Sequence, residues 1–270
     1  MRLLQHLCPR PASTTAIAAQ AEVEAAARSL IGTPVEDLDT PALFIDVAAV
    51  EHNIAQISEQ IRASGAVWRP HTKAIRSPAL AQMLIDGGAV GVTCAKLSQA
   101  AALVDGGITD VLLANEIVGP TKVAALVALS KSCERLTVAC DNEENLRAIS
   151  AEAVAQDAQM SVLIDLNIGM NRCGIHWSKK DEIVMMAKLA EALPNIEFRG
   201  LMGYDGHAQG NTDRRVAMTQ DSSYRLSAAK GWVEATGLAV PLLSGAGSGN
   251  YWEAIKGSTN EIQAGGGKVW

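Results

Sequence analysis

Four short stretches of this chain carry side chains of the kind that do chemistry. In Pro70-His71-Thr72-Lys73 an imidazole and a primary amine stand two residues apart. On a continuing strand, residues two apart share a face, so both would point the same way. A lysine drawn into a partly dry mouth loses solvation and its pKa falls. The neutral amine can then attack an aldehyde and form a Schiff base. The competing reading is a lysine reaching out to solvent beside a histidine with ordinary partners. Ser244-Gly245-Ala246-Gly247-Ser248-Gly249-Asn250 is a different signal. Its glycines let backbone N–H groups turn toward an anion, and Ser244 and Ser248 add hydroxyls. An ordinary surface turn would have the same composition.

The other two stretches offer a cation and an aromatic ring. Arg172 lies between Gly169 and Gly174, where a tight loop could present it to a carboxylate or phenolate oxygen. A surface ion pair is the plainer alternative. In Gly203-Tyr204-Asp205-Gly206-His207, Tyr204 could stack on a flat cofactor or shuttle a proton, or simply close one end of the fold. The five histidines show no H-x-x-x-H or H-E-x-x-H spacing, so no metal site is expected. Neither glycine-flanked serine sits in a G-x-S-x-G elbow, which argues against a serine hydrolase.

Apolar or β-branched runs that could hold these residues occur at 42–46, 66–69, 90–94, 111–114, 136–140, 161–166, 198–203 and 240–244. Between them, helical periodicity is read at 48–63, 78–87, 96–105, 120–129, 143–155, 180–193 and 213–236, with 250–256 as the last helix. Strict alternation with near-continuous apolar strands predicts a parallel sheet covered by helices. Eight such units in roughly 230 residues fit a closed (β/α)8 barrel of the TIM type better than an open sheet. Ile45-Asp46-Val47-Ala48 holds no glycine, which disfavours a dinucleotide site after the first strand. Active sites of such barrels gather at the carboxyl ends of the strands. All four stretches follow strand candidates, as do Asn115-Glu116 and Asp141-Asn142, so one mouth is expected to collect them. Asp46 and Asp141 are read as helix caps.

Composition closes off other classes. The 270 residues are 48% hydrophobic and 19% charged, with a formal charge of −6, an ordinary globular balance. Without a Lys/Arg cluster there is no nucleic-acid footprint. No apolar run approaches the roughly 20 residues of a membrane helix. Five cysteines without a C-x-x-C pair suggest a reducing compartment, read here as cytoplasm. Residues 1–34, Ala-rich and helical over about 15–30, are read as an extension ahead of a barrel at 35–265.

In their shared order, these stretches resemble the fold-type III pyridoxal-phosphate enzymes, specifically the D-threonine aldolase and D-serine dehydratase group on an alanine-racemase-like barrel. The resemblance runs from Asp39-Thr40-Pro41-Ala42 to Gly265, about four-fifths of the chain. Its most specific pieces are Arg69-Pro70-His71-Thr72-Lys73, Gly88 to Cys94 with Lys96-Leu97, and Leu112-Leu113-Ala114-Asn115-Glu116. Asn171-Arg172-Cys173-Gly174 and Gly200 to His207 add to them. The resemblance implies pyridoxal phosphate held by Lys73 as a Schiff base, with Lys73 acting as acid and base at the substrate Cα. It puts His71 and Tyr204 beside it, and Arg172 near the cofactor's phenolic oxygen. Gly247, Ser248 and Gly249, with Ser244 beside them, would hold the phosphate. The implied activity is a lyase on small D-3-hydroxy amino acids, cleaving a D-threonine-like substrate to glycine and an aldehyde. A D-serine or 3-hydroxyaspartate dehydratase, an amino-acid racemase, a barrel that only carries the cofactor, and an inactive fragment remain alternatives. A homodimer is implied as well.

Two departures stand out. In the aldolases a histidine follows the tyrosine matched by Tyr204, and another comes shortly after Ala-Gln; here those places hold Asp205 and Gly210. The family also carries a β-rich C-terminal domain with divalent-metal ligands. The resemblance ends at Gly265, so residues 266–270 are read as the start of that domain or an altered tail.

Overall fold

Helix starts follow the residues that cap them. Ser77 Oγ accepts from the Leu80 N–H at 3.4 Å ahead of a helix with Pro78 in its first turn. Asn142 Oδ1 does the same for the Asn145 N–H at 2.9 Å. Asn142, not Asp141, is therefore the cap of its helix. The computed structural model describes residues 25, 27–42, 44–210 and 213–266. It divides into two compact units, Met1–Val47 and Ala48–Trp270. Every residue singled out above for chemistry lies in the second.

From residue 47 the elements run in this order: α1 (Val47–Ala63), β1 (Val67–Trp68), α2 (Pro78–Asp86), β2 (Val92–Cys94), α3 (Leu97–Asp105), β3 (Asp110–Glu116), α4 (Pro120–Ser130), β4 (Arg135–Cys140), α5 (Glu143–Ala155), β5 (Met160–Asn167), β6 (Ile175–His176), α6 (Lys180–Ala192), β7 (Ile196–Gly203), α7 (Gly206–Gln209), α8 (Arg215–Glu234), β8 (Leu242–Gly245), α9 (Tyr251–Ala254) and β9 (Glu261–Ile262). The main sheet is parallel throughout, in the order β1-β9-β8-β7-β5-β4-β3-β2, with β6 beside β5. Its two end strands meet. Val90 N–H donates to Trp68 O at 2.9 Å, Thr93 N–H to Pro70 O at 2.8 Å, and Thr72 N–H to Thr93 O at 2.7 Å. The ring closes as the expected (β/α)8 barrel.

The barrel interior is plugged by Leu112, Ala139, Leu163 and Met202, while the larger apolar core lies between strands and helices. Toward the amino ends of β3, β4 and β9 the filling turns ionic: buried Arg69 bridges Glu261 and Asp110. Among the described residues no helix is long and apolar enough to cross a membrane.

Two strand expectations need correction. Residues 42 and 44–46 form no strand, and Phe44 and Ile45 are exposed; the ring of eight closes without them. The eighth barrel strand is β9, which had no apolar run to reveal it. It is two residues long, and Glu261 points inward to Arg69. The helix expected over about 15–30 falls mostly outside the described residues, though residues 25 and 27–29 are helical.

Candidate active site

The hydrogen bonding of β1 runs on past Trp68: Pro70 O accepts from Thr93 N–H at 2.8 Å and His71 N–H donates to Gln263 O at 3.0 Å. Thr72 then gives both its N–H and its hydroxyl to Thr93 O, at 2.7 and 2.9 Å, and the chain turns. The strand therefore does not continue to Lys73, as a shared strand face would require. Lys73 reaches the barrel mouth from a turn, and its N–H donates to His71 Nδ1 at 3.3 Å. That bond places the ring proton of His71 on Nε2. The result is still a shared cavity: His71, Lys73, Asn115, Arg172, Tyr204 and Gln263 surround about 220 Å3, with Met202 and Ala114 as its apolar floor. A second hollow of about 180 Å3 shares His71, Lys73, Tyr204 and Gln263 and extends to Gln209, Gly247 and Ser248.

Charge is arranged around one ring. Lys73 Nζ stands 5.3 Å from the centroid of Tyr204, and Arg172 Cζ 5.2 Å from it. Partial desolvation, and then Arg172, hold the Lys73 amine below the ordinary lysine value. Burial, and then Asp205, push the Tyr204 phenol up, against the pull of Arg172. His71 falls from 6.5 to about 3 through burial, then Lys73, then Arg172. A neutral imidazole is what folding selects, so His71 contributes stability fully above the unfolded value of 6.5 and loses it as pH falls toward 3. Its ring resonances are expected to show no titration between about pH 5 and 8, which NMR would check. A midpoint near the free-histidine value would contradict this placement.

The Arg172 loop is built tightly. Asn167 Oδ1 accepts from the N–H groups of Gly169 and Asn171, at 3.1 and 3.0 Å, and Asn171 takes a left-handed φ of 57°. Asp141 Oδ2 accepts from Gly174 N–H at 3.1 Å, so this residue fastens the loop's far end. Beside it lies a group that sequence reasoning did not single out. Asp165 is 3% exposed, its Oδ2 is 3.5 Å from Cys173 Sγ, and its side chain is hydrogen-bonded to Glu116. Burial, and then Glu116, hold the Asp165 carboxyl well above the carboxylate range. A lone acid inside the apolar run Ser161 to Leu166 was the available signal.

The glycine-rich stretch is at the mouth, but not as expected in detail. Gly247 N–H donates to Asn250 Oδ1 at 3.0 Å and Gly249 N–H to Gln209 Oε1 at 2.6 Å. Neither is left to face an anion; of the three, the Ser248 N–H alone has no partner among the described residues, and Ser248 Oγ accepts from Gly266 N–H at 2.8 Å. Ser244 lies fully buried in β8, accepting from Gln263 Nε2 at 2.9 Å, and lines neither hollow. Gln263 and Gln209, which do line them, had been overlooked. Gln263 follows the unread strand β9, and Gln209 sits in the one-turn helix α7.

The chain matches the family described as alanine racemase, N-terminal domain, over residues 45–267. It belongs to that family. Among curated relatives in the family's reach, it is 34% identical over 241 residues to a 3-hydroxy-D-aspartate aldolase of Paracoccus denitrificans (strain Pd 1222), covering 88% of this chain and 62% of the relative. It is 33% identical over 238 residues to a D-threonine aldolase of an Arthrobacter species, covering 87% and 62%. A solved D-threonine aldolase from Filomicrobium marinum superposes with a TM-score of 0.83 at 34% identity, over 87% of this chain and 64% of that one. The chain thus spans about 62% of the length of the curated relatives it matches. The resemblance first seen in the motifs around Lys73, Arg172 and Tyr204 is borne out at the level of family and barrel.

Proposed function

We propose that this alanine-racemase-type barrel is the cofactor-holding part of a pyridoxal-phosphate lyase that cleaves D-3-hydroxy amino acids to glycine and an aldehyde. The observation that carries the proposal is the mouth itself: one lysine amine of lowered pKa stands over Tyr204, opposite Arg172, at the entrance to a hollow that ends at Ser248. Those groups fit the cofactor's chemistry. An amine suits its aldehyde, a fixed cation its phenolic oxygen, a ring its flat face, and a serine with an unused N–H its phosphate. Pyridoxal phosphate supplies a carbonyl for attachment and an electron-poor ring that stabilises negative charge at Cα.

The chain's own residues do the rest. Lys73 Nζ would hold the cofactor by its aldehyde and would carry a proton to or from the substrate Cα. Arg172, charged at every working pH, would keep the cofactor's phenolic oxygen ionised. Tyr204, its phenol pushed up, remains a proton donor, and neutral His71 offers Nε2–H as a hydrogen-bond donor. In D-threonine-like cleavage the 3-hydroxyl proton is lost as the Cα–Cβ bond breaks, and Cα is protonated to give glycine. Identity of about one third to two aldolases supports cleavage over dehydration. A reducing, cytoplasmic setting suits the free thiols Cys94, Cys133, Cys140 and Cys173. Incubation of the chain with pyridoxal phosphate and either D-threonine or D-3-hydroxyaspartate is expected to yield glycine and aldehyde in equal amounts. Keto acid and ammonia without glycine would overturn the aldolase reading in favour of a dehydratase. Recovery of the Cα epimer of the substrate would do so in favour of a racemase.

A further inference from the structure

Beneath the glycine-rich loop runs a chain of side chains to which the proposed chemistry gives no role. Asp205 immediately follows Tyr204 at the end of β7, in the place where the aldolase pattern has histidine, and is 3% exposed. Its Oδ2 accepts from Asn250 Nδ2, which also donates to Thr219 Oγ1 at 3.0 Å. Asn250 Oδ1 in turn accepts from Gln209 Nε2 and from the Gly247 N–H at 3.0 Å. Gln209 Oε1 accepts from the Gly249 N–H at 2.6 Å. One connected network therefore begins beside the aromatic ring and ends on the two glycines that flank Ser248.

The glycines are explained by the same contact. A Cβ on Gly249 would lie 2.6 Å from Gln209 Oε1 and 3.0 Å from the Gln209 carbonyl oxygen, and a Cβ on Gly247 would lie 2.9 Å from Gln209 Oε1. Any side chain there would push Gln209 out. With both flanking N–H groups anchored, the Ser248 N–H is the one of these three left without a partner among the described residues, and Ser248 lines the hollow. Ala246 holds a left-handed φ of 59° at the start of this turn, a conformation that costs energy for a side-chain-bearing residue and needs fixed neighbours.

We infer that Asp205, Asn250 and Gln209 are positioning residues that fix the Gly247–Gly249 turn so that Ser248 N–H meets a phosphate monoester, the phosphate of pyridoxal phosphate on the proposed reading of the mouth. Gln209 and Asn250 hold the turn directly, while Asp205 stands behind Asn250 and also borders Tyr204. Lys73 and Arg172, at the other end, are held by Thr93 contacts and by the Asn167–Asp141 clamp. The network therefore discriminates a phosphorylated ligand from its unphosphorylated counterpart.

The test compares pyridoxal phosphate with pyridoxal on the full chain, reading affinity by fluorescence quenching, together with amide exchange at Gly249. Gln209→Met keeps the side-chain volume but removes the acceptor of the Gly249 N–H. It is expected to speed exchange at that amide and to weaken pyridoxal phosphate by about tenfold or more, leaving pyridoxal within about twofold. Asp205→Asn retains an oxygen for Asn250 Nδ2 and is expected to stay near the unaltered affinity for both. Equal weakening of both compounds by Gln209→Met would show a merely structural role and overturn the inference. So would unchanged affinity alongside faster Gly249 exchange. Failure of the unaltered chain to bind either compound would instead bring down the cofactor reading and, with it, this inference.

Discussion

Exchange of Lys73 for arginine is expected to reduce lyase turnover by about three orders of magnitude or more while leaving the fold intact. Lys73 is the lysine that lines both hollows of the mouth. Its amine is kept below the ordinary lysine value by desolvation and by Arg172, which makes the neutral, attacking form available at working pH. Arginine keeps the positive charge over Tyr204 but cannot be deprotonated in a protein, so it cannot attack a carbonyl. The side chain is exposed, with no buried partner to strand, so the thermal midpoint is expected to move by no more than a surface substitution does, about 0.5 kcal/mol. Turnover and thermal unfolding measured on the same preparation separate the two effects. Retained turnover in Lys73→Arg would mean that the chemistry uses another group.

The largest stability effect is expected at the opposite end of the barrel. Arg69 is 2% exposed and donates through Nε to Glu261 Oε2 at 2.8 Å and through Nη1 to Asp110 Oδ1 at 2.7 Å. Asp110 has a second partner in Arg135 at 3.3 Å; among the described residues no other cation bonds buried Glu261, whose Oε1 is already unpaired, although Arg199 acts on it at longer range. Arg69→Met therefore leaves the buried Glu261 carboxylate without a bonded cation, with only the longer-range charge of Arg199 nearby, at a cost of about 3 kcal/mol. For a domain of this size that corresponds to a fall in Tm of roughly 10 °C. The double replacement Arg69→Met with Glu261→Met removes both charges and is expected to recover much of the loss, since an apolar pair of similar volume can replace a buried ion pair. Urea unfolding of the two variants decides it: equal losses would show that stranded charge is not the cause.

How far these features were legible depends on the range of the interaction that creates them. The strand–helix alternation was readable because runs such as 136–140 and 161–166 are apolar on both faces, as strands buried between interior and helices must be. Strand β9 was not, because Glu261 is an inward-facing charge whose partner, Arg69, lies 192 residues away. The chemistry of the mouth was legible by residue type, since an amine, a cation, a ring and a glycine-rich turn each follow a strand. Its fine geometry was not. Lys73 arrives on a turn that opens at Thr72, and the anchoring of the glycine-rich turn is set by Gln209, 40 residues from Gly249. Ser244 looked like part of the loop by adjacency but faces Gln263 in the interior. Asp165 shows the reverse case, an acid hidden in a strand that burial and Glu116 bring next to the Arg172 loop.

Borohydride reduction of the purified chain with pyridoxal phosphate, followed by peptide mass mapping, tests the central claim most directly. The expected result is one reduced pyridoxyl group on Lys73, absent from Lys73→Arg. Label spread over exposed lysines such as Lys179 and Lys180, or no label at all, would contradict a cofactor held at this barrel mouth.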